Sequence, residues 1–171
     1  EKWAKISVEV EIASEYRYRD PIIDSNTLVI AISQSGETMD TLMAIRHAKA
    51  AGARVLAICN TNSSTIPRES DAVLYTHAGP EIAVASTKAL LTQIIAVYLI
   101  GLHLAQVRGE LSDAQVRGLY NEMLELPGKI EQILETVEPL RALTRSFAKS
   151  ETVLFIGRNI GYPVVLEGAL K

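Results

Sequence analysis

Thr27 to Ile32 reads TLVIAI, an almost unbroken run of aliphatic and β-branched residues, the pattern of a central parallel strand covered on both faces. Thr38 to Ala51 changes to helical period, with Leu42, Ile45, Ala48 and Ala51 on one stripe. Gly52 follows as the residue that ends this helix. Val55 to Cys59 (VLAIC) predicts a second buried strand, Asn60–Ser64 a polar loop, and Ala72 to Tyr75 a short third strand. Upstream, Ser7 to Ile12 alternates polar and apolar, with Val8, Val10 and Ile12 on one face, which predicts a strand with one side buried. Ser86 opens a long apolar helix running to about Val107. Thr92, Gln93 and His103 interrupt its Ala89–Ala105 stretch, so it reads as a core helix buried on most of its circumference and not as a membrane span.

The alternation of strands and helices predicts an α/β fold: an open parallel sheet with helices on both faces, in three α/β/α layers. Right-handed crossovers place all strand C-terminal ends on one edge, where such sheets bind ligands. The composition shifts at Arg108–Gly109. Residues 112–149 are helical and more charged, with a break at Pro127–Gly128. Thr152 to Ile156 (TVLFI) predicts another buried strand, and Gly157–Asn159 turns into a helix containing Pro163 to Lys171. The expected organisation is a nearly complete first domain over 1–109 and an incomplete second over 110–171. With no initiator methionine and a helical pattern still running at Lys171, both ends read as cut and the chain as a fragment.

Composition narrows the function classes. In 171 residues, 48% are apolar and 22% charged, values of a globular protein, and the net charge of −3 comes without a basic cluster. Nucleic acid and anionic membranes are therefore not the expected partners. One cysteine, Cys59, excludes an intrachain disulfide and fits a reducing cytosol; on its apolar strand it reads as a small buried residue. His47, His77 and His103 are too far apart for a local metal-ligand pattern, so no metal and no cofactor is expected.

The chemistry is concentrated in Ser33-Gln34-Ser35-Gly36-Glu37-Thr38, at a strand-to-helix turn. The first N–H groups of a helix have no partner within it, and with the helix dipole they suit an anion. Hydroxyls of Ser33, Ser35 and Thr38 and the amide of Gln34 add rotatable donors, enough to hold a phosphomonoester without Lys or Arg. The alternative is that Ser35 or Thr38 caps the helix. A second loop, Gly79 to Lys88, places Ser86 and Thr87 at the next long helix start on the same edge, again with capping as the alternative. Neither a Walker A loop nor a G-x-G-x-x-G fingerprint is present.

The segments VEVEIASEYRYRD, AISQSGETMDTL, LAICN, PRESD, GPEIAVASTKA and GYPVVLEGALK resemble the isomerase region of the glutamine–fructose-6-phosphate aminotransferase (glucosamine-6-phosphate synthase) family, which is built from two sugar isomerase (SIS) domains. The resemblance covers nearly the whole chain in the family's motif order. It implies a cytoplasmic, homodimeric transferase that converts fructose 6-phosphate and glutamine into glucosamine 6-phosphate and glutamate, with a glutaminase domain in the same parent chain. It further implies that Ser33, Gln34, Ser35 and Thr38 hold the sugar phosphate, that Val84 and Ser86 contact the sugar, and that Lys171 lies at the isomerase site. Cys59 is not the counterpart of the family's catalytic N-terminal cysteine. The glutamate base, the ring-opening histidine and the imine-forming lysine of the family fall after Lys171, so this chain is expected to be inactive alone. Two other readings share the phosphate loop: a non-catalytic phosphosugar-sensing module, and a related phosphosugar isomerase or deglycase. The long apolar helix reads equally as a dimer interface or as a helix sandwiched inside one protomer.

Overall fold

A computed structural model describes all residues from Glu1 to Lys171. Two compact units divide at Val116/Arg117, seven residues beyond the end of the first expected domain, inside a helix.

The first unit is built on a three-stranded parallel sheet ordered β1 (Leu28–Ser33), β2 (Arg54–Cys59), β3 (Ala72–Tyr75). Helix α1 (Ala13–Tyr16) precedes it. Helix α2 (Met39–Ala50) and the short α3 (Thr65–Glu69) connect the strands, and α4 (Lys88–Val107) follows them. Gly52 takes φ +94°, the left-handed value expected of the residue that ends α2.

Side chains alternate across a strand, and only one face of β1 is well covered. Ala31, Val55 and Ala57 pack under Leu42, Ile45 and Ala48 of α2 and Ile66 of α3, with Val29 and Val73 at the margin. On the opposite face Ile58 is fully buried, and α4 packs on β2. Leu28, Ile30 and Ile32 of β1 are instead 36–47% exposed. The expected central strand covered on both faces is thus an edge strand covered on one, because no element of the unit packs over its even-numbered side chains.

Other expectations fail for related reasons. Ser7–Ile12 is extended chain without strand pairing, and Val10 and Ile12 point into solvent. Its alternating pattern needs a partner strand, and its local bonds are ion pairs from Arg19 to Glu9 and Glu11 instead. The long helix α4 is less buried than its composition predicts: Ala89, Ala96, Leu102 and Ala105 are buried, while Leu91, Ile94, Val97 and Tyr98 are about half exposed. Its 20 residues are long and apolar enough to cross a membrane by length and composition, which its polar interruptions argued against. Packing of α4 on β2, and of Trp3 on Tyr98 with ring centroids 5.5 Å apart, makes it part of the α/β layer.

The second unit contains most of α5 (Asp113–Leu124), then α6 (Leu126–Leu134), α7 (Val137–Ser146) and α8 (Gly161–Leu170). Residues 152–156 form no strand: with no neighbour to hydrogen-bond, TVLFI lies as extended chain along α8. Gly168 admits the Phe155 ring there, since a Cβ at that position would stand 2.9 Å from it.

Candidate functional site

The strand register puts Ser33, Cys59 and Tyr75 side by side, so the loops leaving all three strands open on one edge. The Ser33–Thr38 turn is shaped by its own hydroxyls. Ser33 Oγ, buried, accepts the Gly36 N–H at 3.0 Å, and Ser35 Oγ accepts the Glu37 N–H at 3.2 Å. The hydroxyls of Ser33 and Thr38 are 3.5 Å apart. Thr38 occupies the N-cap position of α2, but its side chain makes no capping bond, and neither does any other. The first-turn N–H groups of α2 thus face the loop edge uncapped, and Gln34 and Ser35 are partly exposed there.

The other two helices starting on this edge differ. Thr65, the first residue of α3, gives its N–H to a Glu37 carboxylate oxygen at 2.8 Å, and the Ile66 N–H bonds the Gly36 carbonyl at 2.9 Å. Hydrogen bonding by Thr65, then opposed weakly by desolvation, holds the Glu37 carboxyl below its ordinary pKa. At α4 the Glu81 carboxylate accepts the N–H groups of Ala89 (3.0 Å) and Thr87 (3.1 Å) and the Thr87 hydroxyl (3.1 Å). The Ala89 bond is the main cause of its lowered pKa. The long helix starts at Lys88 with Thr87 at its N-cap position, two residues later than the expected start at Ser86. Val84 is fully exposed and Ser86 partly so on the loop leading into it.

Between these loops lies the segment after β2. Asn60 gives its backbone N–H to the Gln34 carbonyl at 3.2 Å. Its side-chain oxygen accepts the Ala78 N–H (2.8 Å) and the Thr76 hydroxyl (3.0 Å), and its amide nitrogen donates to the Gly79 carbonyl (2.8 Å). Cys59 is buried as expected, with Sγ 3.7 Å from the Gln34 carbonyl oxygen and from Ser64 Oγ. Gly36, at φ +70°, sits against this pair: a Cβ there would stand 2.0 Å from Ser64 Oγ and 2.8 Å from Cys59 Sγ.

Lys171 belongs to the second unit, at the end of α8, where its ammonium pairs with Glu167 at 2.9 Å, the i, i+4 ion pair its spacing predicts. Sequence reasoning singled out the hydroxyl-rich turns and passed over Asn60, Glu37 and Glu81, which shape them. For Asn60 the available signal was a lone amide directly after an apolar strand. Glu81 gave none, because it caps a helix six residues further on.

The SIS domain profile matches residues 1–102. Over all 171 residues the chain is 64% identical to a glutamine–fructose-6-phosphate aminotransferase (isomerizing) of Streptomyces coelicolor, of which it spans 28%. It is 61% identical to the enzyme of that name from Mycolicibacterium paratuberculosis, of which it spans 27%. Among solved structures, the C-terminal domain of glucosamine-fructose-6-phosphate aminotransferase from Francisella tularensis superposes with a TM-score of 0.95 at 39% identity, over 99% of this chain and 48% of that one. The chain thus spans little more than a quarter of the curated relatives it matches. By the profile match over most of its length, and by a parallel sheet whose loops open on one edge, this chain belongs to the SIS domain family.

Proposed function

We propose that this chain supplies the phosphate-holding part of the sugar site of a glutamine–fructose-6-phosphate aminotransferase. The carrying observation is the uncapped start of α2, ringed by Ser33, Gln34, Ser35 and Thr38, while α3 and α4 on the same edge are already occupied by carboxylates. An anion at the α2 terminus gains about 0.3–1 kcal/mol from the dipole, and about 1.5–3 kcal/mol from each hydrogen bond to its charge. Several such donors hold a phosphomonoester without a cation. Identity of 64% across the whole chain to an enzyme of that name supports fructose 6-phosphate or glucosamine 6-phosphate as the ligand. In this reading Val84 and Ser86 meet the sugar, and Lys171 serves the isomerase centre.

The amino transfer belongs to the longer protein, with its glutaminase domain, in the cytoplasm. The half-exposed apolar residues Leu91, Ile94, Val97 and Tyr98 of α4 support a homodimer. The deciding experiment is isothermal titration of the 171-residue chain with fructose 6-phosphate. Ser35→Ala is expected to weaken binding by about 5- to 150-fold, the equivalent of about 1–3 kcal/mol. Unchanged affinity in Ser35→Ala, or no binding by the parent chain, overturns the assignment.

A further inference from the structure

The geometry points to Asn60 as a positioning residue that sets the Gly79–Lys88 loop against the Ser33–Thr38 turn, and so governs recognition of the sugar and not of the phosphate. This inference rests on the sugar-phosphate reading above. Asn60 follows the middle strand of the sheet, so it is placed to reach the loops leaving both neighbours. Its two halves do different work. The backbone N–H holds the Gln34 carbonyl of the phosphate turn, a bond that any residue except proline would make. The carboxamide holds the other loop through three bonds of 2.8–3.0 Å, to Thr76, Ala78 and Gly79.

The side chain's orientation is settled by its partners. The Ala78 N–H can only donate and the Gly79 carbonyl can only accept, so oxygen and nitrogen have one consistent placement. His77, between Thr76 and Ala78, takes a left-handed φ of +51°, and Gly79 one of +70°, so the backbone bends sharply around the amide. Beyond Gly79 the chain is tied again at Glu81, whose carboxylate holds the start of α4. Residues 82–86, with Val84 and Ser86 among them, lie between Glu81 and the α4 start that it holds, and Asn60 fixes the turn from which this segment leaves. Removing the carboxamide frees one anchor and leaves the Ser33–Thr38 turn with its own bonds to Gly36, Glu37 and Asn60 N–H intact.

The test is a pair of titrations on the full 171-residue chain, with fructose 6-phosphate and separately with inorganic phosphate. Asn60→Ala is expected to lower affinity for fructose 6-phosphate by about tenfold, the loss of one or two neutral hydrogen bonds' worth of order, with phosphate affinity changed less than about twofold. Asn60→Asp keeps both acceptor bonds and sets a carboxylate oxygen against the Gly79 carbonyl; it is expected to fall in the same selective way, by about 3- to 10-fold. It decides the matter by the same criterion should Asn60→Ala lose its far-ultraviolet circular dichroism. Equal losses on both ligands, or none on either, overturn the inference while leaving the sugar-phosphate site standing. A parent chain that binds neither ligand removes that site itself, and the inference with it, before any substitution is made.

Discussion

Gly36→Ala tests whether the phosphate turn is as tightly seated as its contacts imply. Two separate penalties apply. At φ +70° an alanine sits in the left-handed region, which costs about 1–2 kcal/mol. Its Cβ would also stand 2.0 Å from Ser64 Oγ, 2.8 Å from Ser64 Cβ and 2.8 Å from Cys59 Sγ, all on well-packed segments. Overpacking of this kind costs about 1–3 kcal/mol. The sum is about 2–5 kcal/mol, which at a urea slope of about 1–3 kcal/mol/M lowers the midpoint by about 0.7–5 M, near 2 M at the middle of both ranges. Trp3, the one tryptophan, packs on Tyr98 within the first unit, so its fluorescence follows the unfolding of that unit. A Ser64→Gly background removes the Ser64 hydroxyl and Cβ, the larger part of the clash, and leaves the Cys59 contact and φ unchanged. There Gly36→Ala is expected to cost at least about 1 kcal/mol less, a coupling within the range of contacting residues. A midpoint within about 0.3 M of the parent, or strictly additive substitutions, would refute the tight seating.

Two further outcomes follow from the carboxylates. Glu37, Asp71 and Glu81 all have pKa values below their ordinary ones, Asp71 chiefly through the Val55 N–H at 2.7 Å and then Lys49 at 3.1 Å. Folded values lower than unfolded ones add stability above the unfolded pKa, which is lost as pH falls through the folded value. The urea midpoint should therefore hold between about pH 5 and 7 and drop below about pH 4, with Asp71→Asn shallower; a drop already complete at pH 5 would contradict the assignment. Glu81→Ala should speed amide exchange at Thr87 and Ala89 by about tenfold or more without touching α2, and unchanged exchange at Ala89 would show that Glu81 does not cap α4.

Local pattern revealed the parts of this fold that depend on one element at a time. The three paired strands, the stripe of Leu42, Ile45 and Ala48, and the end of α2 at Gly52 follow from periodicity and backbone preference, and the structure has them. Strands that need a partner elsewhere do not behave that way. VEVEI and TVLFI carry strand composition, yet neither pairs here, since a strand's hydrogen bonds lie outside itself. For the same reason apolar composition overstated the burial of β1 and α4, where coverage depends on what packs alongside. In the site, the hydroxyl turn was visible because its residues are contiguous. Its supports were hidden, because Asn60, Ser64 and Glu81 meet partners 5 to 26 positions away along the chain.

The distribution of carboxylates around the edge fits a proposed anion site in a chain of net charge −3. Three helices begin on this edge, and each offers backbone N–H groups and the positive end of a dipole. Glu37 and Glu81 lie in the loops where an approaching phosphate would meet their repulsion. Both are turned onto helix starts: Glu37 onto α3, Glu81 onto α4. Their charge is thereby spent on the α3 and α4 termini. Ser33 and Ser35 meanwhile take up the Gly36 and Glu37 N–H groups, which shapes the turn before α2 without closing the helix's own first turn. Of the three termini only that of α2 takes neither of these carboxylates; Gln34, Ser35 and Thr38 stand beside it and Asp40 is exposed in its first turn. In the proposed site, attraction for an anion comes from the turn's backbone and hydroxyl donors, with Glu37 and Glu81 bound elsewhere and no lysine or arginine in the turn.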